Sequence, residues 1–117
     1  PGASKGGSSI ITLQYAYTLA RAAELMKAYG WRSVSVRYEQ MARKIAADVF
    51  RQCWDDSKKM LADTSEKTSF SQHANILGIL TDAVESSQQK DLINKIMTDK
   101  SITQATYYFK FYLFEAL

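Results

Sequence analysis

The apolar positions of this chain fall into five helical groups, and their breadth alternates. From Ser9 to Tyr29, Ile10, Leu13, Ala16, Tyr17, Ala20, Ala23, Met26 and Ala28 spread well beyond one helix face. Ser8 or Ser9 is placed to cap the first turn, and Gly30 to close the last. From Ser35 to Cys53 the pattern changes. Tyr38, Met41, Ala42, Ile45, Ala46, Val49 and Phe50 form one stripe, opposite Glu39, Gln40, Arg43, Lys44, Asp48 and Arg51. Residues 54–70 are turn-rich and charged, with Met60-Leu61-Ala62 as a short extended piece. A third helix, Ser71 to Ala83, is mostly apolar beyond its first turn. A fourth, Ser87 to Thr98, buries Leu92, Ile93, Ile96 and Met97 and exposes Gln88, Gln89, Lys90, Asn94 and Lys95. A fifth starts near Thr103, is apolar on nearly every side, and is still open at Leu117.

Apolar helices therefore alternate with amphipathic ones. The connections are short except the one before helix three, so neighbouring helices are expected to be antiparallel. A helix that is apolar all round needs neighbours on all sides. Five helices are too few to supply them, which predicts an excerpt of a larger helical protein. The expected architecture is all-α. Helices one, three and five form an inner layer and two and four an outer one, as in part of an α/α toroid. No repeat of roughly 34 or 40 residues is visible, which disfavours a solenoid. Residues 1–117 are read as one partial barrel segment, with 1–8 a flexible polar lead-in.

Composition narrows the classes of function. Apolar residues make up 46% of 117, enough for a core. The net charge of +3 is spread among interspersed acids and bases. That is no basic stripe, so a nucleic-acid partner is not expected. The aromatic run near the end is broken by Lys110 and is far shorter than the roughly 20 residues that span a bilayer, so no membrane partner is expected. Cys53 is the lone cysteine and His73 the lone histidine, which excludes an internal disulfide and a zinc site. No cofactor is implied. No targeting segment is visible, and the compartment is left open.

Candidate chemistry lies where each inner helix begins. The lead-in segments are Gly6-Gly7-Ser8-Ser9, Ser69-Phe70-Ser71-Gln72-His73 and Ser101-Ile102-Thr103-Gln104. If the helices alternate up and down, all three lie at one end. They present hydroxyls, amides and free helical N–H groups around a mouth suited to a polyhydroxylated ligand such as a sugar. Ser71, Gln72, His73 and Gln104 are the candidate substrate-binding residues. The competing reading makes Ser9, Ser71 and Thr103 simple N-caps. His73 has no second imidazole, so a hydrogen-bonding role is favoured over a general base. Asp63 precedes this segment and is read either as approaching the mouth or as a turn residue. Glu115 stands in an apolar helix, and a structural pair is favoured there over a general acid. Most of the final aromatics are read as core. Trp54 is read as a packing anchor and Trp31 as a partly exposed cap contact.

The run DTSEKTSFSQHANILGILTDAV, followed by DKSITQATYYFKFYLFEAL, resembles the bacterial alpha-L-rhamnosidases of the six-hairpin glycosidase group. The stretch GGSSIITLQYAYTL, with Ala22-Ala23-Glu24-Leu25 and Gly30, is similar to what precedes it in that family. The resemblance covers nearly the whole chain in order and is most specific in SFSQHAN, TQATYYF and FEAL. It implies an (α/α)6 barrel with its pocket at the starts of inner helices. It also implies inverting hydrolysis of terminal alpha-L-rhamnosides by two carboxylates, roughly 6.5–9.5 Å apart to admit a water. In the family the acid lies upstream of this segment and the base downstream. The sugar-stacking tryptophan belongs just before Pro1. No catalytic residue is therefore assigned here, and Glu115 is matched to none. The chain would supply barrel wall and rim to a parent that binds a rhamnose-containing glycan, and would be inactive alone. That parent could be exported or cytoplasmic. The chain by itself is expected to self-associate through faces whose neighbours are missing. The rival reading is a helical-repeat module that holds a partner helix in an apolar groove.

Overall fold

A computed structural model describes residues 8–99 of the chain. These residues are mostly helical, in the order α1 (Ser9–Ala28), α2 (Arg32–Cys53), β1 (Trp54–Asp55), β2 (Met60–Leu61), α3 (Gln72–Leu80) and α4 (Ser86–Thr98). The fifth helix expected from Thr103 lies outside the described residues, as does Gln104.

The helix ends follow local chemistry. Ser8 caps α1, its hydroxyl accepting from the Ile11 N–H at 3.4 Å. Gly30, with φ of +83°, turns the chain out of α1 in a conformation that an L side chain disfavours. The second helix begins at Arg32, three residues earlier than its polar-apolar pattern predicts. Ser35 is not its cap. It is buried, and its hydroxyl donates to the Ala23 carbonyl at 2.7 Å, bolting α2 to α1. The third helix stops at Leu80 rather than Ala83 because Asp82 takes a left-handed φ of 58° and Val84 N–H returns to the Gly78 carbonyl. Aspartate tolerates that conformation better than most residues. Gln89 Nε2 then donates to Val84 O at 2.8 Å and to Asp82 Oδ1 at 3.1 Å, fixing the link into α4.

Residues 54–70 hold more order than turn signals suggest. Trp54 pairs with Leu61 and Asp55 with Met60 in a two-stranded antiparallel ribbon. Asp55 makes its turn, with Oδ1 accepting from Ser57 N, Ser57 Oγ and Lys58 N. The Ser57 hydroxyl, then the Lys58 amide, hold the Asp55 carboxyl below its ordinary range. A further bridge pairs Ala62 with Phe70. The extended piece expected at residues 60–62 is thus the second strand plus this bridge.

The core gathers Leu13 of α1, Val49 and Cys53 of α2, Leu61 of β2, Ile76 and Leu77 of α3, and Leu92 and Ile96 of α4. Trp54 stacks on Phe50 with centroids 4.9 Å apart and anchors the hairpin against α2. The outer face of α2 is wet and carries the pairs Arg43–Glu39, Lys44–Asp48 and Arg51–Asp48. Met97, expected inside, is about half exposed.

Candidate functional site

Asp63 joins the starts of two helices. Its carbonyl accepts from Ser9 N–H at 2.8 Å, at the first turn of α1. Its carboxylate accepts from Ser71 Oγ at 2.6 Å and from Ser69 Oγ at 2.9 Å, at the first turn of α3. Its N–H donates to the Ser69 carbonyl at 2.8 Å. Ser9 adds a bond from its hydroxyl to Ala62 O at 2.7 Å. The beginnings of α1 and α3 therefore sit side by side at one end of the molecule. The positive dipole ends of the two helices share that end.

Each candidate residue has a defined place. Ser71 is the N-cap of α3, accepting from Ala74 N–H at 3.2 Å while donating to Asp63. Gln72 is buried, and its Nε2 donates to the Ile96 carbonyl at 2.6 Å. Ile96 lies in the last turn of α4, where carbonyls lack helical partners, so Gln72 closes that helix end. His73 is half-buried beside this cluster. Burial lowers its pKa below the ordinary imidazole value, and the Asp63 carboxylate pulls the other way. Thr103 and Glu115 lie outside the described residues, together with Gln104.

Asn75 was not singled out by sequence reasoning, yet it is the most engaged side chain here. Its Oδ1 accepts from Leu61 N at 2.7 Å, and its Nδ2 donates to Leu61 O at 3.0 Å and to Ser71 O at 2.8 Å. The amide thus pairs with strand β2 as another strand would, and it is fully buried. The available signal was an amide set inside the apolar run Ala74 to Leu80. A polar residue in such a run must be bonded or it destabilises the fold.

Chemically, this end offers hydrogen bonds rather than a nucleophile. The Ser71 proton is held by a carboxylate, and one of its lone pairs takes a backbone N–H. Asp63 is an acceptor already taken up by two hydroxyls. An open groove of ≈ 770 Å³ lies elsewhere, toward the other end of α3. It runs between α1 and α2 over Ala16, Ala20, Ala23 and Ala46, and ends at Asp82. Burial raises the Cys53 thiol pKa, which keeps it protonated. No protein-family model, curated protein or solved structure matches the chain.

Proposed function

We propose that this chain is a wall and rim segment of an (α/α)6 glycoside hydrolase barrel of the alpha-L-rhamnosidase kind. The observation that carries this reading is the Asp63 junction, which sets the polar starts of α1 and α3 at a common end. A sugar mouth on a helical barrel needs such a gathering of N–H groups and hydroxyls. The placement of α3 supports it further. From Ala74 to Ile79 this helix is buried without a break, as an inner helix would be, while α2 keeps a charged outer face. A fifth helix from Thr103 would bring Gln104 to the same mouth.

In this reading the chain's own residues shape the rim. Asp63 and Ser71 lock the approach to α3, Gln72 ties it to α4, and His73 stands beside them to donate or accept a hydrogen bond from a sugar hydroxyl. The two carboxylates of the inverting reaction belong to flanking segments of the parent. The 117-residue chain is therefore expected to be inert on an aryl alpha-L-rhamnoside. The protein completed by its flanking sequence is expected to release the phenol and L-rhamnose of inverted configuration. Phenol release that scales with the concentration of the short chain would refute the division of labour. A completed parent inert on a panel of rhamnosides would reduce the reading to architecture alone.

A further inference from the structure

Helix α1 carries a second apolar stripe opposite its buried one. Leu13, Ala16, Leu19 and Ala23 face the core. Ile11, Tyr15, Leu25 and Tyr29 are 65%, 54%, 60% and 70% exposed. With Thr18 and Ala22 between them, the spacing is four, three, four, three, four. That alternation keeps side chains on one line along a helix and is the pattern of a helix–helix seam. Two further features describe the partner. The order of sizes is large, large, small, small, large, large, which reads the same in both directions. About a two-fold axis between Thr18 and Ala22 an antiparallel seam pairs Ile11 with Tyr29 of the other copy, Tyr15 with Leu25 and Thr18 with Ala22, so that large residues meet large ones and small meet small. The small central pair lets the two helices approach closely. The exposed part of Ile11, Tyr15, Leu25 and Tyr29, extended by Trp31 against the Tyr29 ring, comes to roughly 600 Å². One partner of a standard stable interface contributes about 800 Å². Beside the seam, Arg21 pairs with Glu24 at 3.3 Å, so that edge carries no unpaired charge from either.

We infer that this flank of α1 takes a second copy of the chain, antiparallel, about a two-fold axis between Thr18 and Ala22. The inference stands on the surface of α1 and not on the sugar reading, although in a longer barrel an adjoining hairpin would use the same flank.

Sedimentation velocity of the 117-residue chain tests it. Between about 1 µM and about 500 µM the chain should pass from monomer to dimer, the range expected when an interface of this size has few anchors. L25E and Y15E should each remain monomeric throughout, with unchanged circular dichroism and melting temperature, because both sites are exposed. Oxidised T18C/A22C should give a covalent dimer, whereas A22C alone should not, since Ala22 faces Thr18 and not itself. A wild-type chain that stays monomeric at all concentrations overturns the inference, as would a flank covered by residues 100–117 of the same chain. A dimer indifferent to both L25E and Y15E overturns it equally, and A22C alone cross-linking as well as the pair removes the antiparallel geometry.

Discussion

Helices α1 and α3 are built from similar material and end in different surroundings. Both are rich in aliphatic residues over more than one face, although α1 adds Arg21, Glu24 and Lys27 in its second half and α3 has no Asp, Glu, Lys or Arg. In α3, residues Ala74 to Ile79 are buried without a break, because α1, β2 and α4 all pack on it. In α1 one stripe is buried against α2 and α3, while Ile11, Tyr15, Leu25 and Tyr29 lie in solvent. Apolar breadth states how many neighbours a helix can use. Only the arrangement of the other elements states how many it has. The same contrast governs the polar residues. Gln72 and Asn75 are buried in α3 with their bonds complete, and among the described residues no buried side-chain nitrogen or oxygen lacks a partner.

If that contrast is correct, polar and small residues of α3 should matter more than large apolar ones on the α1 flank. The largest effect is expected at Asn75. Its replacement by alanine leaves Leu61 N–H, Leu61 O and Ser71 O without their side-chain partner in a dry site. At about 1–3 kcal/mol for each buried group left unsatisfied, a loss of about 3 kcal/mol or more is expected in urea unfolding. A loss under 1 kcal/mol would show that the α3–β2 contact is not where stability resides.

Gly78 comes next. A Cβ there would collide with a methyl of Leu61 and come within 3.2 Å of Val84 Cγ2. Gly78→Ala gains helix propensity yet is expected to lose about 1–3 kcal/mol overall, as overpacked cores do. Shortening Leu61 to alanine in that background should recover part of the G78A loss, measured against L61A alone. Unchanged or improved stability in G78A would mean that α3 is less tightly enclosed than α1.

Ser71→Ala removes both the N-cap of α3 and a donor to Asp63, for an expected loss of about 1–2 kcal/mol. Ser71→Asp keeps the capping oxygen but sets a second carboxylate against Asp63, so it should not rescue. If it does, the junction between the starts of α1 and α3 is looser than described.

A smaller and pH-dependent effect belongs to His73. Its folded pKa is lowered, so the unfolded chain takes up a proton first as pH falls. Stability is therefore expected to decline as pH drops through about 6.5, the unfolded imidazole value, toward the lower folded value, and to be flat in this respect above it. His73→Gln should remove that component of the slope in melting temperature against pH. An unchanged slope would place the proton-linked group elsewhere. At the bottom of the order stand Tyr15→Ser and Leu25→Ser. In dilute monomer each should shift stability by no more than about 0.5 kcal/mol despite the size of the side chain lost.

Much of this fold is legible one residue at a time. Ser8, Gly30 and Ser71 mark helix ends through short-range backbone chemistry, and the acids and bases of α2 mark its wet side. Asp63 could be read only as a choice between the mouth and a turn, because its bonds to Ser9 and Ser71 reach across 8 and more residues. Ser35 and Asn75 were harder. Ser35 looks like a helix start and Asn75 like a polar interruption of an apolar helix, and each bonds a distant backbone, Ser35 to Ala23 and Asn75 to Leu61. The ribbon of residues 54–61 was visible only as an extended fragment, since a strand of two residues carries no period of its own.

By itself the order of amino acids determined where helices form, which faces are charged, and that α3 can use neighbours on every side, because these follow from propensity, capping and apolar spacing within a few turns. Tertiary structure alone decided that Gln72 and Asn75 turn inward, that Asp63 fastens two helix starts together, and that one flank of α1 is left uncovered by the other described residues. Those outcomes depend on which elements arrive beside a residue from far along the chain, and no local pattern encodes that.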